Sequence, residues 1–470
     1  MISADATGST DRMRLADCRG LAVTAANAEA VENFDNAVRA FLRHGRDSID
    51  HLTAALGHDP EMAMAHAAKG LWTVLLGRRQ VLPVAHQALK DARSSLAERG
   101  GTAREQNFVK ALERAVVDDF DGAVVVLEAS LADQPHDALG LKLGHQLRFM
   151  TGDAPGMHQS TARHLAHWSP EMPDYGYMLG CHAFGLEETG AVTEAEKAGR
   201  AAVELEPEDA WGFHAVAHVL EVTGRPREGV AWLAHHTPAL KRSNNFAYHV
   251  FWHRALFHLT MGEIGTVLSL YDQSVRADKT DDFRDVANAV SLLWRLQALG
   301  VDVGDRWREL AELAETHIGD HAYGFADGHY LMALVGAGRQ DVAARFVRSA
   351  AEANTVAVSG AAGHQPWVWR SIGCNLADAI LAFGQGDDAG VIKALVGVRD
   401  RIHLLGGSHV QRDVFEILIL EAAVRGGNGT LAASLMADRC RRRGDDAFTY
   451  RWGAPEDLTT EPLLVAGAGI

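Results

Sequence analysis

Apolar residues recur along this chain at three- and four-residue spacings and seldom in strict alternation, a helical pattern almost throughout. YGYMLGCHAFGLEETG (175–190) is one such run, ending at Gly190. AVTEAEKAGRAAVELEP (191–207) is the next, and Pro207 closes it. Glycine tolerates positive φ and so stops helices. The same plan returns in DAWGFHAVAHVLEVTG (209–224) and RPREGVAWLAHH (225–236). Gly190 then maps to Gly224, Leu186 to Leu220 and Glu187 to Glu221, an offset of 34 residues.

Thirty-four residues is the period of the tetratricopeptide helix–turn–helix. Further apolar runs end at Gly77, Gly152, Gly262, Gly300, Gly338 and Gly386. From Gly224 to Gly338 the glycines stand 38 apart, so the repeats are degenerate and slightly long. One helix pair cannot bury its apolar stripe alone, so neighbours stack and share a core. The expectation is an all-α, tetratricopeptide-like α-solenoid of about nine helix pairs over residues 31–452. Residues 1–30 are expected to be a partly flexible segment or to lie along the body, and 453–470 to be a tail. NTVAVSGAAGHQ (354–365) reads as an irregular connection, and Ser408 with Gln411 three residues later as a capping box.

Four stretches together carry a family resemblance: FGLEETG (184–190), HAVAHVLEVTGR (214–225), WHRALFHL (252–259) and GGSHVQRDVF (406–415). On them the chain resembles the tetratricopeptide repeat protein 38 family, from about residue 30 to about residue 450. The resemblance implies an all-helical, tetratricopeptide-like array, and no ligand or catalytic role is carried over from it.

Composition narrows the partners. Hydrophobic residues make up 47% of the 470, enough for a large core. A net charge of −16 argues against nucleic acid, which needs a basic footprint. Arg439 to Arg443, with Cys440 inside and Asp445 and Asp446 after it, reads as a solvated helix end. Cys18, Cys181, Cys374 and Cys440 are scattered without a CxxC pair, the usage of a reducing compartment. The first twenty residues lack the apolar stretch of a signal peptide, and no apolar run approaches a membrane span. A cytoplasmic protein is expected, with neither membrane nor nucleic acid as partner.

Chemistry concentrates in WGFHAVAHVLEVTG (211–224). At ~100° per residue, His218 lies roughly 40° to one side of His214 and Glu221 roughly 20° to the other, so all three share a face. Aligned on the loop glycines, the inward positions are Trp211, His214, His218 and Glu221 in one repeat. In the preceding repeat they are Tyr177, Gly180, Phe184 and Glu187. In the following one they are His249, Trp252, Leu256 and Leu259, with His253 one step round. Glu187, Glu221, His214, His218 and His249 are thus expected to converge on the concave wall. His329 aligns with His253, while His258 points away as a packing histidine. His409, Arg412 and Asp413 read as capping and salt-bridging groups at a helix start.

Histidines at i and i+4 reach one ion, as in helical zinc sites. The candidate metal ligands are therefore His214, His218 and Glu221, with His249 as the alternative third ligand and a divalent ion such as zinc as the candidate cofactor. The candidate catalytic set is Glu187, Glu221 and His214, for a metal-assisted hydrolase or lyase or a metal-free acid–base site. The candidate ligand-binding set is Trp211, Phe184, His249, Trp252, His253 and His329. The leading reading is a concave groove that binds a peptide, protein segment or small molecule. The enzyme is the alternative, and an assembly scaffold sealed as a homo-oligomer is the third. GxSxG, P-loop and GxGxxG signatures are missing, which argues against hydrolase-fold and nucleotide-fuelled chemistry.

Overall fold

The computed structural model describes residues 14–356, 363–444 and 446–453. They form eleven consecutive helix pairs, from Ala28–Leu42 with Ser48–His58 to His409–Arg425 with Gly429–Arg443, followed by the short helix Ala447–Trp452. The expected nine pairs are thus exceeded, because the Ala28–Leu42 and Ala103–Ala115 helices lead into their partners without the glycine stop used elsewhere. A two-stranded antiparallel hairpin, Arg14–Ala16 with Ala22–Thr24, precedes the array. It lies along the body as part of the N-terminal segment. Thr24 donates to Glu105 through its backbone N and hydroxyl, and Asp17 pairs with buried Arg104. The irregular connection falls mostly outside the described residues, since only 354–356 and 363–365 of it are seen, as helix ends. Of the tail only Gly453 is described.

The loop glycines do what their chemistry predicts. Gly77, Gly152, Gly190, Gly224, Gly262, Gly300, Gly338 and Gly386 all have positive φ, between 58° and 85°. At all of these but Gly77 the residue after the glycine donates back to a carbonyl in the last helical turn, as Arg225 N does to Leu220 O and Val301 N to Leu296 O. Ser408 and Gln411 form the expected capping box.

Inner and outer helices differ in burial. In Ala210–Val222 every residue from Ala210 to Glu221 is buried. Its partner Pro226–Leu240 buries only Gly229, Leu233 and Leu240. First helices therefore form the inner wall, and second helices face out. The superhelix winds tightly enough for distant repeats to meet. Asn244 N donates to His44 O at 2.7 Å, Gly407 N to Phe149 O at 3.2 Å, and His409 N to Glu188 at 3.0 Å. The C-terminal pairs thus pack against the interior that a simple concave groove would leave open. Among the described residues no helix is long and apolar enough to cross a membrane. All four cysteines are free thiols.

Candidate metal centre

Two successive first helices build the centre. Asp209 caps Ala210–Val222 by accepting from Trp211 N, and that helix presents His214 and His218. Phe246–Thr260 starts where the Asn244 side chain accepts from Phe246 N, and it presents His249 and His253. The four rings meet at their Nε2 atoms. His218 to His214 is 3.0 Å, His214 to His249 3.0 Å, and His249 to His253 3.2 Å. One ligand atom from each lies within 4.8 Å of all the others. Nitrogens ~2.0–2.1 Å from a tetrahedral zinc lie roughly 3.3 Å apart, so the rings are already near coordination spacing.

At two of the rings the outer nitrogen is engaged. The Glu221 carboxylate only accepts, so His253 Nδ1, 3.1 Å from Glu221 Oε2, carries its hydrogen. His253 Nε2 is then a bare lone pair. The same holds for His249, whose Nδ1 lies 2.8 Å from Asn288 Oδ1. Two lone pairs face each other at 3.2 Å, and a cation between them is the natural counterpart. Burial drives the His214 and His253 pKa values well below the usual imidazole range and lowers His249 to about 3, so these rings are neutral at pH 7. Exposure is 2% for His214, 7% for His249 and 0% for His218 and His253, which leaves no face of the centre open to solvent.

A second layer orients the rings. His218 Nδ1 is 3.2 Å from Glu187 Oε2, at ion-pair distance but outside hydrogen-bond geometry. Glu187 in turn accepts from His409 Nε2 at 2.7 Å. Burial alone would raise the Glu187 carboxyl, but His409 and His218 hold it well below the carboxylate range. His409, against its own burial penalty, is raised to about 9 by Glu187 and Glu188. Glu221 accepts from Arg443, which also pairs with Asp413 at 2.9 Å. Arg439 completes the network on Asp413 and Asp446. Phe184 stacks on His214 and Trp252 on His249, which fixes the ring planes.

Several expectations change here. Glu221 is not a direct ligand: its two oxygens are taken by His253 and Arg443, behind the ring. Glu187 likewise stands behind His218, where it groups with Glu188 and His409 and not with the other three rings. His214, named with Glu187 and Glu221 in the catalytic set, is one of four converging rings. His249, weighed as the alternative third metal ligand, and His253, expected only to bind a ligand, join His214 and His218 in one group of four rings. Trp211, Phe184 and Trp252 do not line an open groove but are buried as packing around the rings. His329 does not enlarge the site, because its Nδ1 bonds Phe325 O of its own helix and its ring packs on Phe415. His258 is held locally by Glu263, away from the tetrad. Arg439 and Arg443 are not a solvated helix end, being 2% and 9% exposed within the acidic network.

Asn288 and Arg443 are the functional residues missed by sequence. Asn288 occupies the same inner face one repeat on, but displaced by one position from the glycine register. Nothing local to Arg443 signals that its helix folds back onto Glu221.

No protein-family model matches the chain. The chain is a tetratricopeptide-like α-solenoid by its own repeat geometry. Among solved structures it is similar to yeast Tom70, at 12% identity over 92% of this chain and 95% of that one, with a TM-score of 0.33. It is similar to human IFIT1, solved as a dimer with PPP-AAAA, at 13% identity over 96% and 99%, with a TM-score of 0.39. A third is Naa15/Naa10 bound to HypK-THB, at 12% identity over 87% and 68%, with a TM-score of 0.24.

Proposed function

We propose that this is a metal-binding helical-repeat protein in which His214, His218, His249 and His253 hold one divalent first-row transition ion. The observation that carries the reading is the meeting of four buried Nε2 atoms from two adjacent helices. Imidazole nitrogen suits zinc, copper, iron and nickel, and four buried nitrogen donors are within the usual ligand set of zinc. Four protein ligands with no open position favour a structural centre over the hydrolase or lyase reading. The ion clamps two adjacent inner helices. Glu221–Arg443 and Glu187–His409 extend that clamp to the final helix pair. Membership of the tetratricopeptide repeat protein 38 family is our reading of the four stretches quoted above. Binding of a partner inside the superhelix, and a cytoplasmic setting, are likewise our readings.

X-ray absorption at the edge of the bound metal tests this. The account expects a first shell of about four nitrogens near 2.0 Å with imidazole ring scattering. A shell dominated by sulfur or by water oxygen contradicts it.

A further inference from the structure

A cavity of about 380 Å³ lies inside the superhelix beside the centre, within the size range of small-molecule sites. Its wall is aromatic: Phe41, Trp72, Phe149, Phe283, Tyr323 and Phe325. Phe41 and Trp72 stack at 4.6 Å, and Phe283 meets Tyr323 edge-on at 5.2 Å, so flat faces are already presented. The wall also carries unmet polar demand. Trp72, 7% exposed, has a buried Nε1 without a hydrogen-bond partner, as do the lining Gln146 at Nε2 and His44 at Nε2. Indole N–H and amide N–H only donate. Buried donors left unpaired each cost ~1–3 kcal/mol, so an acceptor-bearing occupant is favoured.

The rim adds a cation. Of the lining arginines, Arg284 is spent on Asp282, its Nε donating at 2.8 Å. Arg46 donates to the Lys241 carbonyl, and among the described residues it forms no ion pair with a carboxylate. His44 is held at φ 59°, stacked between Trp211 and Phe246, with its carbonyl tied to Asn244. A side chain kept in the left-handed region by the surrounding packing points to a built wall and not a slack loop.

We propose that this cavity binds a planar aromatic carboxylate, its ring among the aromatic faces and its carboxylate toward Arg46 and the unpaired N–H groups. The proposal stands apart from the metal reading, since no tetrad residue lines the cavity.

The test titrates 2-naphthoate into the full-length protein, read by calorimetry and tryptophan fluorescence, with metal content measured on the same samples. Expected are saturable one-to-one binding, affinity about tenfold weaker in Arg46→Gln, and loss of binding in Leu76→Trp, which fills the cavity. Neutral 2-naphthylmethanol should bind more weakly than 2-naphthoate and be indifferent to Arg46→Gln. Gln146→Leu, a second variant of the wall, should weaken the acid more than the alcohol. Non-saturable binding, or equal affinity in wild type, Leu76→Trp and Gln146→Leu, overturns the proposal. Unchanged metal content across these variants keeps its outcome separate from that of the tetrad.

Discussion

His253 and His329 occupy the same place in two repeats, each nine residues before its loop glycine, yet they do different things. Both are buried and neutral, with His329 lowered to about 4 by burial. His329 satisfies its Nδ1 on the carbonyl of Phe325 four residues back, inside its own helix. His253 turns its Nδ1 to Glu221 on the neighbouring helix, which aims its Nε2 at His249. The repeat position fixes the face, and the partner of the outer nitrogen decides whether the inner one turns to the other rings.

The sharpest way to break this contrast is to remove each ring. His253→Ala should abolish tight metal binding. With a metal at a thousand times its Kd that forfeits ~4 kcal/mol of stability, seen as a large fall in Tm. His329→Ala should leave metal content intact and lower the Tm only through its small cavity. Equal metal loss in both variants would erase the distinction. A smaller effect is expected in the second layer. Glu221→Gln, Asn288→Ala and Arg443→Met should each weaken metal affinity by about 10–100-fold in competition with a chromogenic chelator, with ligand number unchanged.

Acid should separate His249 of the tetrad from His409 behind it. His249 in the metal-free fold titrates at about 3, against 6.5 when unfolded. The unfolded chain therefore binds more protons between those values, and stability falls as pH drops from 6.5 toward 3. Metal should leave over the same window, because protons compete for Nε2. His409 acts in the opposite direction. Its raised value of about 9 means a contribution complete below pH 6.5 and lost as pH rises through 9. Thermal melts across pH with and without chelator check both limbs, and a chelator-independent acid limb would contradict the assignment.

The smallest expected effect concerns the register that makes His253 and His329 equivalent. At Gly190 a methyl group would meet nothing within 4 Å, so Gly190→Ala should cost only the ~1–2 kcal/mol of a left-handed residue. At Gly152 the same methyl would sit 1.9 Å from the His403 carbonyl, so Gly152→Ala should cost more and loosen the docking of distant repeats. Denaturant midpoints of the two variants report the difference.

Sequence carried much of this, because helical spacing and loop glycines are local. The glycine register placed His214, His218 and His249 on one wall, and left His253 one step off. That step reflects how the inner face drifts between repeats, and Asn288 is displaced by the same single position. What stayed hidden is long-range. Arg443 reads as a solvent-facing charge until its helix packs back across 222 residues of sequence onto Glu221. Glu221 looks like a ligand at i+7 until Arg443 and His253 claim its oxygens. An open groove was inferred from first helices alone, and the C-terminal pairs that occupy the interior could not be placed by periodicity.

Elemental analysis of the full-length protein, purified without a histidine tag, tests the central claim most directly. The account predicts about one divalent transition ion per chain, retained through gel filtration and absent from His249→Ala. Metal-free protein that takes up no zinc on titration, with a Tm unmoved by chelator, would contradict it.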